Sequence, residues 1–304
     1  MRNPLRLITQ PYFIMRPAQI ARRVRFEFQS AKSAATSVVL PWGLEISVNP
    51  NEELGHSLAT TGIYDLLMSE MICRLVEPGD VAVDVGANIG YATSLMAIRA
   101  GPHGRVFAFE PHTKTCAALE QNVSRWRTNR TLASIEIARA ALSDHEGTAM
   151  LHEPAGFERN AGLASLARAP ASGSESMEVE LRRLDSAMAP APASIGMIKV
   201  DVEGHELAVF EGAGAMLLRR TIRDVVFEEF APYPAPTHRM LEQLGYAIFH
   251  LEQRLGGPRI HATRAGYVPP FGRPPNYIAT VAPQRAIELF GTRGWCCLRS
   301  SRKR

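Results

Sequence analysis

The stretch Val81-Ala82-Val83-Asp84-Val85-Gly86-Ala87-Asn88-Ile89-Gly90-Tyr91, followed twenty residues after Gly90 by Glu110, constrains this chain more than any other feature. An apolar, β-branched run ends in an acid and a glycine-bearing turn. A helix-like segment, Ala92 to Arg99, comes next, and a second apolar run from Arg105 to Phe109 stops at Glu110. Strand, turn, helix and strand in this order form a nucleotide-binding α/β unit, with an acid at the tip of the second strand placed for ribose hydroxyls.

Charge narrows the nucleotide. A dinucleotide site offers backbone N–H groups to a pyrophosphate and favours G-x-G-x-x-G. The turn here is Gly-Ala-Asn-Ile-Gly, and Asp84 stands two residues before its first glycine, where an anion opposes a pyrophosphate. S-adenosylmethionine has no phosphate and carries an ammonium and a sulfonium, so a carboxylate near the turn helps it. Gly86 and Gly90 let backbone approach the methionine part closely, and Glu110 accepts both ribose hydroxyls. The bland alternative is a plain tight turn.

The surrounding motifs resemble the FkbM-type methyltransferases. The likeness starts near Trp42-Gly43-Leu44 and Gly62-Ile63-Tyr64-Asp65, and passes through Pro78-Gly79-Asp80, the Val-Asp-Val-Gly-Ala-Asn-Ile-Gly core and Phe109-Glu110-Pro111. It continues in Ala141-Leu142-Ser143-Asp144, Asn160 to Leu166 and Leu184-Asp185-Ser186, and peaks at Ile198-Lys199-Val200-Asp201-Val202-Glu203-Gly204-His205-Glu206 with Phe210-Glu211-Gly212-Ala213. Two departures are mild: Asp65 stands where Glu is expected, and Glu228-Glu229-Phe230 where one acid is usual. The resemblance implies a Rossmann-like class I methyltransferase: a doubly wound, mostly parallel, seven-stranded sheet with helices on both faces. It covers roughly residues 40 to 285 and is not specific to a substrate.

Domain organisation follows: a basic N-terminal extension over 1–40, a methyltransferase domain over 41–285 with an insert at 147–181 in the acceptor region, and a basic C-terminal tail over 286–304. The 46% hydrophobic content suffices for a core on both faces of a sheet. The net charge of +4 is concentrated at the ends, with Arg2, Arg6, Arg16, Arg22, Arg23 and Arg25 against Glu27 alone near the start. Such arms are either solvated or partly ordered extensions, or a peripheral contact with an anionic membrane or nucleic acid. No signal-peptide pattern or run of about twenty apolar residues occurs, so a cytoplasmic location is expected. Four cysteines (Cys73, Cys116, Cys296 and Cys297) form no metal-type pair, and reduced thiols are the expectation, with Cys73 and Cys116 as apolar fillers in helices.

Hydrophobic periodicity predicts a helix over 63–76, strand 81–85, helix 89–99, strand 105–109, helix 113–126 and a strand near 134–139. Strand 195–201, one helix over 206–219, strand 224–229, a helix near 236–244, and strands 246–251 and 276–281 around a Pro/Gly-rich loop at 256–275 complete the reading. In open parallel sheets, ligands bind at the carboxyl ends of strands, where Asp84, Glu110, Ser143-Asp144 and Asp201 fall.

The cofactor candidates are Asp84, Gly86, Asn88, Gly90, Glu110, Ser143 and Asp144; the resemblance implies that Asp144 bonds the adenine amino group. Asp201, Glu203 and His205 are the catalytic candidates. Methyl transfer from a sulfonium is an in-line displacement in which alignment supplies much of the rate, and a hydroxyl acceptor gains from a base, for which imidazole has the right range. Asp201 and Glu203 can orient the acceptor, contact the cofactor's ammonium or hold a divalent ion, although no spacing demands a metal. Structural roles in the turn stay open for all three, and Glu206 is read as a cap of the following helix. By resemblance, Tyr64, Asn160 and Ser165 line the pocket.

Three functions compete: an O-methyltransferase acting on a small-molecule or glycan hydroxyl, a nucleic-acid methyltransferase, and a silent cofactor-binding protein. Ala231-Pro232-Tyr233-Pro234 lacks the amide or acid that holds a base nitrogen, and no aromatic-interleaved basic patch occurs, so no nucleic-acid partner is expected.

Overall fold

The computed structural model describes residues 10–17, 19–20, 36–153, 166, 175–190, 192–267 and 276–299. A short helix α1 (Pro11–Met15) precedes a hairpin of β1 (Thr36–Val39) and β2 (Glu45–Val48). Helices α2 (Glu53–Thr61) and α3 (Leu66–Leu75) follow, the latter N-capped by Asp65, whose Oδ1 accepts from Met68 N–H at 2.8 Å. The cap explains why this helix begins three residues later than its apolar periodicity suggests.

Next come β3 (Val81–Val85), α4 (Tyr91–Ala100), β4 (Arg105–Phe109), α5 (Thr113–Trp126) and β5 (Ser134–Ala138). A small side sheet holds β6 (Ala141–Leu142), β7 (Gly147–Glu153) and β8 (Glu175–Arg182) in the order β6-β8-β7, so the two described ends of the 147–181 insert form an antiparallel pair. The chain returns through α6 (Leu184–Ala187), β9 (Ile195–Val200), α7 (Glu206–Gly212), α8 (Gly214–Leu218), β10 (Ile222–Glu228) and α9 (Pro236–Gln243). It ends with β11 (Ala247–Arg254), β12 (Gly257–Ala262), β13 (Asn276–Thr280) and α10 (Pro283–Gly291).

The large sheet has eight strands rather than seven, in the order β12-β11-β13-β10-β9-β3-β4-β5. The extra strand, β12, lies where sequence predicts only loop: it returns as a hairpin from β11 and occupies the edge, where Pro258 lacks no needed ladder donor. From β10 to β5 neighbouring strands are parallel, while β13 runs antiparallel between β10 and β11. The predicted helix 206–219 is two helices, α7 and α8, parted at Ala213.

Strand side chains alternate between two buried clusters. Ala82, Met197, Val226 and Ile278 join helices α3, α4, α5 and α10 on one face, and Val83, Ile198, Phe227 and Tyr277 join α6 to α9 on the other. This period of two across a sheet covered on both sides is the doubly wound layout. Beyond α10, Trp295 is fully buried, and Glu70 on α3 accepts the N–H groups of Cys296 and Cys297 at 2.8 and 2.9 Å. Cys73 and Cys296 are joined as a disulfide, contrary to the expected reduced thiols; 223 residues separate them, so only the docked C-terminal segment brings them together. Cys116 and Cys297 are buried free thiols. Among the described residues no helix is long and apolar enough to cross a membrane.

Candidate functional site

Strand β3 starts the sheet, β4 is added on one side and β9 on the other, so the chain reverses direction at β3 and leaves a crevice at the strand ends. A cleft of about 490 Å³ lies there. Gly86, Asn88, Glu110, Asp201, Glu203 and His205 line it, together with Tyr64, whereas Asp84, Gly90, Ser143 and Asp144 are not among its lining residues. Asn160 and Ser165 lie outside the described residues.

The turn after β3 folds tightly because its backbone points inward. The N–H groups of Gly86 and Ala87 both donate to Phe109 O at 3.0 Å. Gly86 has φ of +74°, and a Cβ there would meet Asp201 O at 2.1 Å; at Gly90, φ +95°, a Cβ would meet Leu119 Cδ1 at 2.7 Å. The close approaches at these two glycines are therefore to the protein's own turn and helix, a different reason for glycine than the one sequence suggests.

Glu110 is 7% exposed and anchored at both oxygens, Oε2 by Asn88 N–H at 2.8 Å and Oε1 by His112 N–H at 3.0 Å. Burial pushes its carboxyl up to about 7, against the opposing pull of those two N–H groups and of Lys199.

Asp84 lies beneath the cleft floor. It is fully buried, accepts from Thr93 Oγ1 at 2.6 Å and pairs with Lys199 Nζ at 3.2 Å. Lys199 is 4% exposed, lines the cleft, donates to Gly86 O at 2.7 Å and stands 3.6 Å from Asp201 Oδ2. Burial opposes its charge, but Asp84 and Asp201 outweigh that and push the amine up to about 12. The lysine therefore welds the two motif carboxylates into one unit. Sequence reasoning overlooked Lys199, yet a signal existed: a lysine inside an otherwise apolar buried strand must be paired. Asp84 faces it in register on the neighbouring strand.

The turn after β9 carries Glu203 at φ +54° and Gly204 at φ +97°. Glu206 Oε1 accepts from the N–H groups of Val202 and Gly204 at 3.3 and 3.2 Å, so its carboxylate closes the turn at the N-terminus of α7. His205 reaches the other predicted pair: its Nε2 is 3.0 Å from Ser143 Oγ, which donates to Asp144 Oδ1 at 3.0 Å. With the serine proton on Asp144, Nε2 is the protonated nitrogen and Nδ1 is the acceptor. Burial lowers the imidazole pKa, so it is neutral near pH 7. The hydrogen bonds of His145 and Ser143 hold Asp144 below the usual carboxylate range. Ser143, expected at the cofactor, thus supports His205.

On the far side, Asp65, Glu228 and Asn276 join Asp201 and Glu203 on the cleft wall. Burial and then the charges of Asp201, Asp65 and Glu203 push Glu228 up to about 10. Among the described residues, no three of His, Cys, Asp or Glu are placed to hold a metal ion.

The class these features define is the Rossmann-like class I methyltransferase, with its site at the reversal of strand order. Residues 84–248 match the model of the methyltransferase FkbM domain, and the chain belongs to that family. It is 26% identical over 204 residues to the hexuronic acid methyltransferase AglP of Haloferax volcanii, covering 66% of this chain and 76% of that one. With the 31-O-demethyl-FK506 methyltransferase FkbM of Streptomyces tacrolimicus it shares 32% over 164 residues, 45% of this chain and 60% of the relative. A solved FkbM methyltransferase from Methylobacillus flagellatus superimposes with a TM-score of 0.40 at 15% identity, over 73% of this chain and 52% of that one.

Proposed function

We propose that the protein is an S-adenosylmethionine-dependent O-methyltransferase acting on a hydroxyl of a sugar, glycan or small-molecule metabolite. The charge of the cleft carries this reading. Its described lining has six acidic side chains, Glu53, Asp65, Glu110, Asp201, Glu203 and Glu228, of which Glu228 is neutral and Glu110 about half ionised near pH 7, against Lys199 alone, whose amine is already engaged by Gly86 O, Asp84 and Asp201. A pyrophosphate is opposed by that field, and a sulfonium with an ammonium is favoured by it. The volume falls within the range of about 300–1,000 Å³ usual for small-ligand sites.

The residues present fit the methyl donor. Each oxygen of Glu110 takes one backbone N–H and keeps a lone pair for a further donor, as a pair of ribose hydroxyls requires. Phe109, Pro111, Ala141 and Leu142 supply apolar surface beside it for a purine. When bound, the donor supplies a methyl group on a positively charged sulfur.

His205 acts as the base. Its Nε2–H is held by Ser143, and Nδ1 accepts the proton of the acceptor hydroxyl as that oxygen forms its bond to carbon. Asp144 fixes the serine rotor and hence the tautomer. Lys199 and Asp84 keep the Gly86 and Asp201 turns in fixed relation, so that donor and acceptor meet aligned.

The test is transfer of an isotopically labelled methyl group from S-adenosylmethionine to a panel of hydroxylated glycosides and metabolites, read by mass. One labelled methyl on an oxygen supports the reading; label on nitrogen or carbon, or none across the panel, contradicts it. Replacing His205 with Ala is expected to cut kcat by about 10²–10⁴-fold and to leave donor affinity within twofold.

A further inference from the structure

Glu228 and Asn276 face each other directly in the antiparallel β10–β13 ladder, so their side chains share one face of the sheet, and both line the cleft. Glu228 is 9% exposed and makes no hydrogen bond or ion pair with any described residue. Asn276 is 7% exposed; its Nδ2 donates to Asp65 Oδ2 at 2.9 Å, which fixes the amide and leaves Oδ1 buried without a partner. A buried amide oxygen that meets no donor is costly in a folded protein, and the Glu228 carboxyl opens onto the cleft beside it. What completes them is a group rich in N–H or O–H donors.

The surrounding charges select among such groups. Asp65 on the N-terminus of α3 and Asp201 and Glu203 after β9 press on Glu228, and Lys199 acts against them. A donor group placed here gains from carrying positive charge.

We propose that Glu228 and Asn276 form a subsite for an organic ammonium group, and that the ammonium belongs to the acceptor. The alternative source is the amine of the methyl donor. Glu110 follows β4 and Glu228 ends β10, strands three places apart, about 14 Å across the sheet, which favours an acceptor lying beyond the Gly86 turn. The inference rests on the proposed methyl-transfer reading and deepens it: the acceptor is an amine-bearing hydroxyl compound, such as an aminosugar glycoside, and an acidic sugar is disfavoured. The raised pKa of Glu228 adds a signature, because seating an ammonium beside a neutral carboxyl drives off its proton.

The experiment titrates the full chain calorimetrically with three matched probes: methyl glycosides of 2-amino-2-deoxyglucose, of glucose and of glucuronic acid. Each titration is run with and without S-adenosylmethionine, in two buffers of different ionisation enthalpy at pH 7. The subsite predicts at least tenfold tighter binding of the amine probe than of the other two and release of about one proton. Both features disappear in Glu228→Gln, an isosteric change at a carboxyl already neutral, checked for folding by its melting temperature. Equal binding of the three probes, preference for the glucuronide, no binding of the amine probe, or an amine preference that survives Glu228→Gln overturns the proposal. The donor titration separates the two sources: unchanged S-adenosylmethionine affinity in Glu228→Gln assigns the subsite to the acceptor, and a tenfold loss assigns it to the donor and overturns that part. The probe-only arm reads the subsite even if the protein binds no methyl donor, so failure of the methyl-transfer reading is seen separately.

Discussion

At the scale of single residues, two buried charges organise the cleft. Glu110 is the clearer, because its raised pKa fixes a sign. Burial lifts the carboxyl from 4.5 to about 7, so its contribution to stability is present below pH 4.5 and is lost as pH rises through 7. Hydroxyl donors favour the ionised form. Affinity for S-adenosylmethionine is therefore expected to level off above pH 7 and to weaken by up to about tenfold per unit below it. Dissociation constants measured from pH 5.5 to 8.5 check this, and Glu110→Ala is expected to weaken binding by about 10²-fold and abolish the slope. Lys199 is the other charge. Replacing it with Met strands Asp84, which is fully buried, and is expected to cost about 3–5 kcal/mol in denaturant unfolding. Pairing that change with Asp84→Asn should restore part of the loss, since no uncompensated ion then remains. Simple additivity of the two costs would contradict the coupling.

At the scale of elements, the site depends on how closely α7 lies against the loop after β6. A Cβ on Gly212 would stand 1.9 Å from Ser143 O, so only glycine lets α7 settle where its N-cap, His205, meets Ser143. Gly212→Ala is expected to cost about 1–3 kcal/mol of stability by overpacking. It should also lower kcat at least tenfold while donor affinity stays within twofold. An unchanged kcat would separate His205 from Ser143. This element-level packing marks the limit of what the sequence makes legible. Strands β3 and β4 are readable to the residue, because their apolar runs end abruptly, at Gly86 and at Glu110-Pro111. Strand β12 is hidden by Gly256-Gly257-Pro258, since an edge strand tolerates the residues that otherwise mark a loop. That Glu110 and His205 sit on the cleft is legible from motifs at strand ends. The His205–Ser143 contact and the Glu228–Asn276 pair join residues far apart in sequence; helix packing makes the first and strand register the second.

At the scale of the whole molecule, one sheet covered on both faces leaves a single direction for chemistry. Helices α3, α4, α5 and α10 bury one face and α6 to α9 the other, so polar side chains can gather at the carboxyl ends of the strands. The C-terminal segment reinforces that arrangement from behind. Glu70 and Arg74 on α3 pair at 2.6 Å, and Arg74 donates to the carbonyls of Thr292 and Gly294 at 3.1 and 2.7 Å. The start of the same helix presents Asp65, Leu66 and Met68 to the cleft. A chain end far from the motifs thereby braces one wall of the site. The 223-residue span of the Cys73–Cys296 disulfide could not be inferred from cysteine spacing, because it exists only once this segment has docked.

The central claim is that an acidic cleft with Glu110 at its ribose end holds a cationic methyl donor. Calorimetric titration of the purified chain with S-adenosylmethionine, alongside NAD, tests it most directly. The account predicts micromolar binding of S-adenosylmethionine with one site per chain, and no binding of NAD. Binding of NAD, or of neither ligand by a folded sample, would contradict it.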